Sequence, residues 1–360
     1  MYKLDLYIIK KFLGTFVFMI MAFLVIAVVF DLSEKIDDFI KHDVSFRRIF
    51  TQYYFNFVLY LGNLLSPVLV FLTVILVTSS MAQKSELIAI LSGGISYFRI
   101  LRPYFIAASI LTLFTLGIAH YLLPNANKER LAFEEGIVSN KFNISEENLH
   151  REVAPGEIAY FQSITASKSV GYKFSLEFWD NEGRLRSKLI AAKARYYPEE
   201  LKWELTNVQI RKIDHLGNES IQTIERMDTV MNFKITDFGQ RVEAAMTLGN
   251  RELDAFINEQ KASGSDKVTY FLIEKYSRTS NAFAIIVLTL IGVSVSSRKT
   301  RGGTGLHIAL GVLIGFVYIF AMKMAAVSAT NAGVSPMLAV WLPNILFSII
   351  AVFLYFRAPK

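Results

Sequence analysis

Six apolar runs lie three and three on either side of a long polar insert, and this arrangement constrains the chain more than any other feature. A helix needs about 20 apolar residues to cross roughly 30 Å of hydrocarbon. The runs that qualify are Phe12–Phe30, Val58–Ser79, Ile100–Leu123, Ala282–Val295 extended upstream, Ile308–Val327 and Met337–Phe356. The fourth is the weakest, with a short apolar core and Arg278 just before it. The overall hydrophobic content of 53% is only modestly above that of a soluble chain, because it averages two unlike kinds of segment. The expected fold is an α-helical membrane protein of six transmembrane helices with an inserted, exported all-β domain. Its parts are expected at residues 1–123 (spans one to three, with a short inner helix within 81–100), 124–270 (the β domain with connecting elbows) and 271–360 (spans four to six).

The start of the first run, with Lys3, Lys10 and Lys11, resembles the basic region of a signal peptide. The run exceeds the roughly 7–15 apolar residues of such a peptide, and no small-residue cleavage site follows, so a retained helix is expected. Basic residues set the orientation. Lys3, Lys10, Lys11, Lys84, Arg99, Arg102, Arg298, Lys299, Arg301, Arg357 and Lys360 lie in the segments expected inside, where Asp5 and Glu86 are the acidic exceptions. By the positive-inside rule both termini face the cytoplasm and the insert lies outside. The net charge of +7 is largely this topological signal, so no nucleic-acid partner is expected.

In the insert the pattern changes to short alternating stretches. Ile158–Phe161, Tyr172–Trp179, Lys188–Ala192, Trp203–Arg211 and Thr229–Ile235 read as strands. Asp180–Gly183 and His215–Asn218 carry turn chemistry, and residues 197–203 read as a further reversal. Near-regular spacing of short strands suggests an antiparallel sandwich or open jelly roll rather than a plain stalk. From Leu253 the spacing turns helical, broken at Ser263-Gly-Ser265, as in an interfacial elbow leading to the fourth span.

Catalysis within this chain is not expected. It has no cysteine, which excludes thiolate metal sites, redox pairs and cysteine nucleophiles. It has no Gly-Lys pair for a phosphate loop, no His-Glu-x-x-His and no Gly-x-Ser-x-Gly elbow. Gly302-Gly-Thr-Gly305 reads as a tight inner turn between the fourth and fifth spans. No cofactor is expected in the chain, and energy must come from elsewhere. The segment 81–99 between the second and third spans is helical in pattern, carries Glu86 as its only acid, and closes on Gly93-Gly94 as a helix end would. One acid shown on a short helix between basic flanks suits a basic socket on a cytoplasmic partner, although it could equally be a solvated face.

Here the sequence resembles the LptF/LptG (YjgP/YjgQ) permeases. The resemblance is carried by Ala82-Gln-Lys-Ser85-Glu86-Leu87 with Ser92-Gly93-Gly94, by Tyr276-Ser-Arg278, Leu290-Ile-Gly292-Val, Arg301-Gly-Gly-Thr-Gly305 and Trp341-Leu-Pro343-Asn344, and it covers essentially the whole length. It implies a Gram-negative inner-membrane protein that pairs with a paralogous permease and binds an LptB-like ATPase dimer, which holds the ATP. The pair would extract lipopolysaccharide from the outer leaflet and pass it by periplasmic jelly-roll domains to an LptC-like bridge. Glu86 would sit in the ATPase groove, with Ser85, Leu87, Gly93 and Gly94 shaping the coupling helix.

Three cations are candidates for the lipid headgroup. Lys323 lies about one turn from the outer end of the fifth run; it reads either as a snorkelling lysine or as a cation lining a cavity. Lys35 and Lys41 follow the first run among Glu34, Asp37 and Asp38, where surface pairing is the plainer reading, whereas a lipid phosphate would favour clustered cations. Gly311 and Gly315 form a small-xxx-small face suited to close helix approach. Pro67 is expected to bend the second span. Asn143-Ile-Ser and Asn218-Glu-Ser match a glycosylation pattern with no role assigned. Two other classes compete with a permease: a membrane-anchored scaffold or receptor whose outer domain binds protein, and a secondary transporter, which the scarcity of mid-span polar residues such as Asn63 and Thr112 disfavours.

Overall fold

The computed structural model describes all residues except 1–2, 138–146, 166–168, 181, 199, 201, 215–216, 236–241, 266, 299–302 and 359–360. The Arg301–Gly302 half of the expected inner turn, His215-Leu216 and the Asn143 sequon lie outside the described residues. The chain divides into two compact units. The first combines residues 1–137, 246–251 and 269–360; the second combines 138–245 and 252–268.

Among the described residues, the helical unit holds six helices long and apolar enough to cross a membrane: Lys3–Lys41, Phe46–Gln83, Tyr97–Ile137, Val268–Ser296, Gly303–Asn331 and Pro336–Arg357. All are longer than their apolar runs, because hydropathy marks only the part that needs hydrocarbon while the helix continues into polar sequence. The 39 residues of the first span correspond to about 58 Å at 1.5 Å per residue. The charged stretch after Phe30, where the apolar run ends, is therefore mostly helix. It stops where Asp43 turns left-handed (φ 47°) and the Val44 amide reaches back to the Phe39 carbonyl. Phe39 and Val44 pack in one cluster beneath that turn, the hydrophobic contact typical of this helix end. Residues 124–137, assigned to the insert, instead continue the third span as helix Leu123–Ile137.

Two spans contain a π-helical stretch, Ile49–Tyr54 in the second and Ile118–Leu122 in the third. Such stretches insert an extra residue per turn and re-aim side chains. The second span is the hub, with 67% of its apolar window buried against 17% in the first span and 22% in the fifth. The first and fifth therefore show wide apolar faces, Phe18, Phe30 and Phe316 among them. The buried stripe near the start of the first span, Asp5, Ile8, Ile9, Phe12 and Phe16, has helical spacing and seats it in the main core.

The β unit is a six-stranded antiparallel sheet in simple sequential order: β1 (Glu147–Ala154), β2 (Glu157–Thr165), β3 (Val170–Trp179), β4 (Leu185–Tyr197), β5 (Lys202–Ile213) and β6 (Glu219–Thr229). The described strands form one meander, in place of the crossovers that define a Greek-key sandwich or jelly roll. Lys173 and Asn207, in the middle of β3 and β5, adopt left-handed φ of 48° and 53°, and the ladders pass over both residues. Interruptions of this kind bend strands and raise their twist, which lets one sheet wrap a core. That core is aromatic: Phe161, Phe174 and Trp203 are fully buried, and the Trp203 indole donates to the Phe233 carbonyl at 3.2 Å. The segment 229–235 is a correction. Its alternation reflects burial of Phe233 and Ile235 under the sheet, yet among the described residues no strand follows Thr229. The expected turn at Asp180 is present, with Asp180 Oδ1 accepting from the amides of Glu182 and Arg184. The elbow forms helix Asn250–Ala262 and breaks at Gly264 before Val268.

Candidate functional site

The helix Glu86–Ser92 is seven residues long and is bounded at both ends by left-handed backbone, Ser85 at φ 62° and Gly94 at φ 82°. Gly93 keeps an ordinary φ of −75°, so of the two glycines Gly94 makes the reversal. A left-handed residue is easily borne by Gly94 but costs a serine energy. Ser96 then caps the next helix by accepting from the Arg99 amide.

Leu87 is the apolar anchor of this short helix, 2% exposed in the cluster that holds Ile8, Ile9, Phe12 and Met81. Glu86 is the polar anchor. Its Oε2 accepts from the Tyr7 hydroxyl at 3.1 Å and from Lys11 Nζ at 3.3 Å, and Lys11 also donates to the Tyr7 oxygen at 2.9 Å. The carboxylate expected to be displayed bare is thus engaged by the first span, though its side chain remains 30% exposed. Ile88 and Phe98 present apolar surface on either side of Gly93 and Gly94. A few residues away, Arg99 grips Asp5 by a two-pronged fork at 2.6 and 2.9 Å, with the Asp5 side chain only 4% exposed. Lys11, Tyr7, Asp5 and Arg99 were not legible as site residues, because their partners lie far off in sequence.

The C-terminal end of the first span carries the other charged assembly. Lys35 Nζ meets Asp31 Oδ1 at 3.0 Å and Glu134 Oε1 at 3.1 Å, donates to the Tyr53 hydroxyl, and lies 4.6 Å from the centre of the Tyr53 ring. Arg130 pairs with Glu134 at 3.2 Å and stacks over Tyr60. Two cations face two carboxylates, so Lys35 is neutralised. Its partners are Asp31 and Glu134, not the neighbouring Glu34, Asp37 or Asp38. The π-helical stretch at Ile49–Tyr54 delivers Tyr53 into this assembly. Lys41 makes one loose contact with Asp38 at 3.8 Å and is largely exposed. Lys323 is exposed and makes no ion pair with a described residue. It sits eight residues before the end of its helix at Asn331, or about two turns rather than one, because the helix outruns its apolar run. Lys35 and Lys41 thus pair with different carboxylates.

Two further polar knots hold the spans. Asn344, from the Trp341-Leu-Pro343-Asn344 motif, accepts from the Tyr318 hydroxyl at 2.8 Å and donates to the Ser280 carbonyl at 2.9 Å, joining the fourth, fifth and sixth spans. Arg278, buried despite its charge, donates to the Leu248 carbonyl at 3.0 Å and pairs with Glu274 at 3.3 Å. Gly311 lies where a Cβ would come within 2.3 Å of Ile75 Cδ1, and Gly315 faces Val68 and Phe71, so both stand against the second span of the same chain.

Comparison with known sequences sets this geometry in context. The sequence profile described as lipopolysaccharide export system permease LptF/LptG matches residues 6–357. Two curated proteins named lipopolysaccharide export system permease protein LptG, from Escherichia coli K12 and from Escherichia coli O6:H1, are each 21% identical over 296 residues, covering 81% of both chains. The profile spans both helical blocks, the short helix with Glu86 and the inserted sheet, and the chain belongs to the LptF/LptG family of lipopolysaccharide export permeases.

Proposed function

We propose that this chain is one half of a paired permease that a separate ATPase drives to lift lipopolysaccharide out of the bilayer. Both termini and the helix Glu86–Ser92 face the cytoplasm, and the β unit faces the periplasm, where it hands lipid to a bridge protein. ATP is held by the partner, with no cofactor in this chain. The observation that carries this reading is the placement of Glu86. It lies on a seven-residue helix between two backbone reversals, partly exposed, and bonded to the first span rather than lost in a core. A helix joined to the bundle in this way can be pushed as a unit.

Of the three candidate lysines, Lys323 has no ion pair with a described residue and Lys41 only a loose one, so these two are the more available to an anionic headgroup, whereas Lys35 would meet it only by exchanging Asp31 or Glu134. The test is to replace Glu86 with Ala in the complex and follow co-purification of the ATPase and release of lipopolysaccharide; loss of both is expected. Unchanged association and release would remove the coupling role. Orientation is checked with single cysteines, which the native chain lacks. A cysteine at Ser220 should react with an impermeant reagent from the periplasmic side, and one at Ser92 should not.

A further inference from the structure

We infer that Tyr7 and Lys11 are positioning residues that hold Glu86 at rest and, by letting it go when a partner docks, pass that event to the N-terminal turns of the first span. The inference rests on the coupling role proposed for Glu86 and identifies the element that receives the motion.

The helix Glu86–Ser92 behaves as a short rod between two joints, Ser85 and Gly94. Both of its anchors lead to the first span. Leu87 is buried in the cluster with Ile8, Ile9 and Phe12, and Glu86 takes hydrogen bonds from Tyr7 and Lys11. Tyr7 and Lys11 are four residues apart, hence stacked on one helix face. Beyond the rod, the Asp5–Arg99 fork ties the same turns to the start of the third span. The N-terminal turns of the first span are therefore gripped on both sides of the rod.

The two grips differ in strength. The fork is bidentate and nearly closed to solvent at Asp5, so it is durable. The Lys11–Glu86 pair is single and 24% and 30% exposed, the kind of ion pair that solvent weakens. A cation from a docking protein can take over Glu86 while the fork keeps the span in register. Release of Lys11 and Tyr7 then reports docking to the first span. The apolar window of that span is the least buried of the six among the described residues.

The test uses the assembled complex, with partner permease and ATPase, in liposomes loaded with lipopolysaccharide. Lys11→Met and Tyr7→Phe are compared with Lys11→Arg by lipid released per ATP hydrolysed, ATPase co-purification and unfolding temperature. Release per ATP is expected to fall about five-fold in Lys11→Met, the lower end of typical coupling between sites. The ATPase should stay bound, the unfolding temperature should not change, and Lys11→Arg should restore release. Tyr7→Phe removes a single hydroxyl, leaves the apolar contacts, and should show a smaller loss. Normal release per ATP in both Lys11→Met and Tyr7→Phe overturns the inference, as does loss of the ATPase from Lys11→Met, which would make Lys11 part of the docking surface. Failure of the underlying reading looks different: Glu86→Ala would then leave ATPase binding and release intact.

Discussion

The two ends of the first span solve the same problem in opposite ways. Each holds charged groups at the border of an apolar helix. At the C-terminal end, Lys35, Arg130, Asp31 and Glu134 neutralise one another under the Tyr53 ring, with every one of these side chains at or below 19% exposure. At the N-terminal end, a closed fork at Asp5 stands beside a half-open pair at Glu86. Burial therefore separates charges that hold the fold from charges that can change partners. A buried pair resists exchange because each member would be stranded without water. An exposed pair is worth little, and a competitor displaces it cheaply.

That contrast can be broken by substitution. Arg99→Ala removes the two-pronged fork on the buried Asp5 carboxylate and should have the largest effect, a loss of about 3 kcal/mol in unfolding free energy, read by denaturation in detergent. Glu134→Ala removes the acceptor shared by Lys35, Arg130 and Tyr53. Asp31 still serves Lys35, so a smaller loss of about 2 kcal/mol is expected in the same assay. Lys11→Met should change stability by no more than about 0.5 kcal/mol while uncoupling release, which is the sharpest form of the comparison. A loss as large as that of Arg99→Ala would abolish the distinction between the two kinds of pair.

The smallest effect is expected in the β unit, where Lys188 bonds the Glu177 carboxylate at 2.7 Å and holds its pKa below the ordinary value. A carboxylate with a depressed folded pKa contributes stability in full above its unfolded value of about 4.3 and loses it as pH falls through the lower folded one. Acid titration of the full chain, followed by tryptophan fluorescence from Trp203 in the sheet core, should show Lys188→Met removing part of the acid sensitivity. An unchanged profile would mark the pair as energetically silent.

Legibility in the sequence followed the physics of each element. Apolar runs reported the six spans but placed their ends too early, because polar helix needs no hydrocarbon; helix Lys3–Lys41 outruns Phe12–Phe30 at both ends. Strands β2 to β5 were readable from alternation over a buried aromatic face. The edge strand β6 was not, since most of its residues are exposed and nothing in its pattern sets it apart from a polar loop. Segment 229–235 failed the other way, with buried residues alternating where no ladder forms. Glu86 stood out as a lone acid, but its partners Tyr7 and Lys11 lie 79 and 75 residues away. Glu134 reaches Lys35 across 99 residues from a stretch that read as part of the insert.

By itself the sequence determined the three-plus-three division of spans, the inserted sheet and the membership that its motifs announce. Hydrophobic burial is written residue by residue, and periodicity exposes it. Only the tertiary structure decided which charges meet: that Lys35 is spent on two carboxylates, that Asp5 is locked by Arg99, and that Glu86 leans on the first span. Electrostatic partners act through space over a few ångströms, and no local pattern in a chain says which distant turn of helix will arrive there.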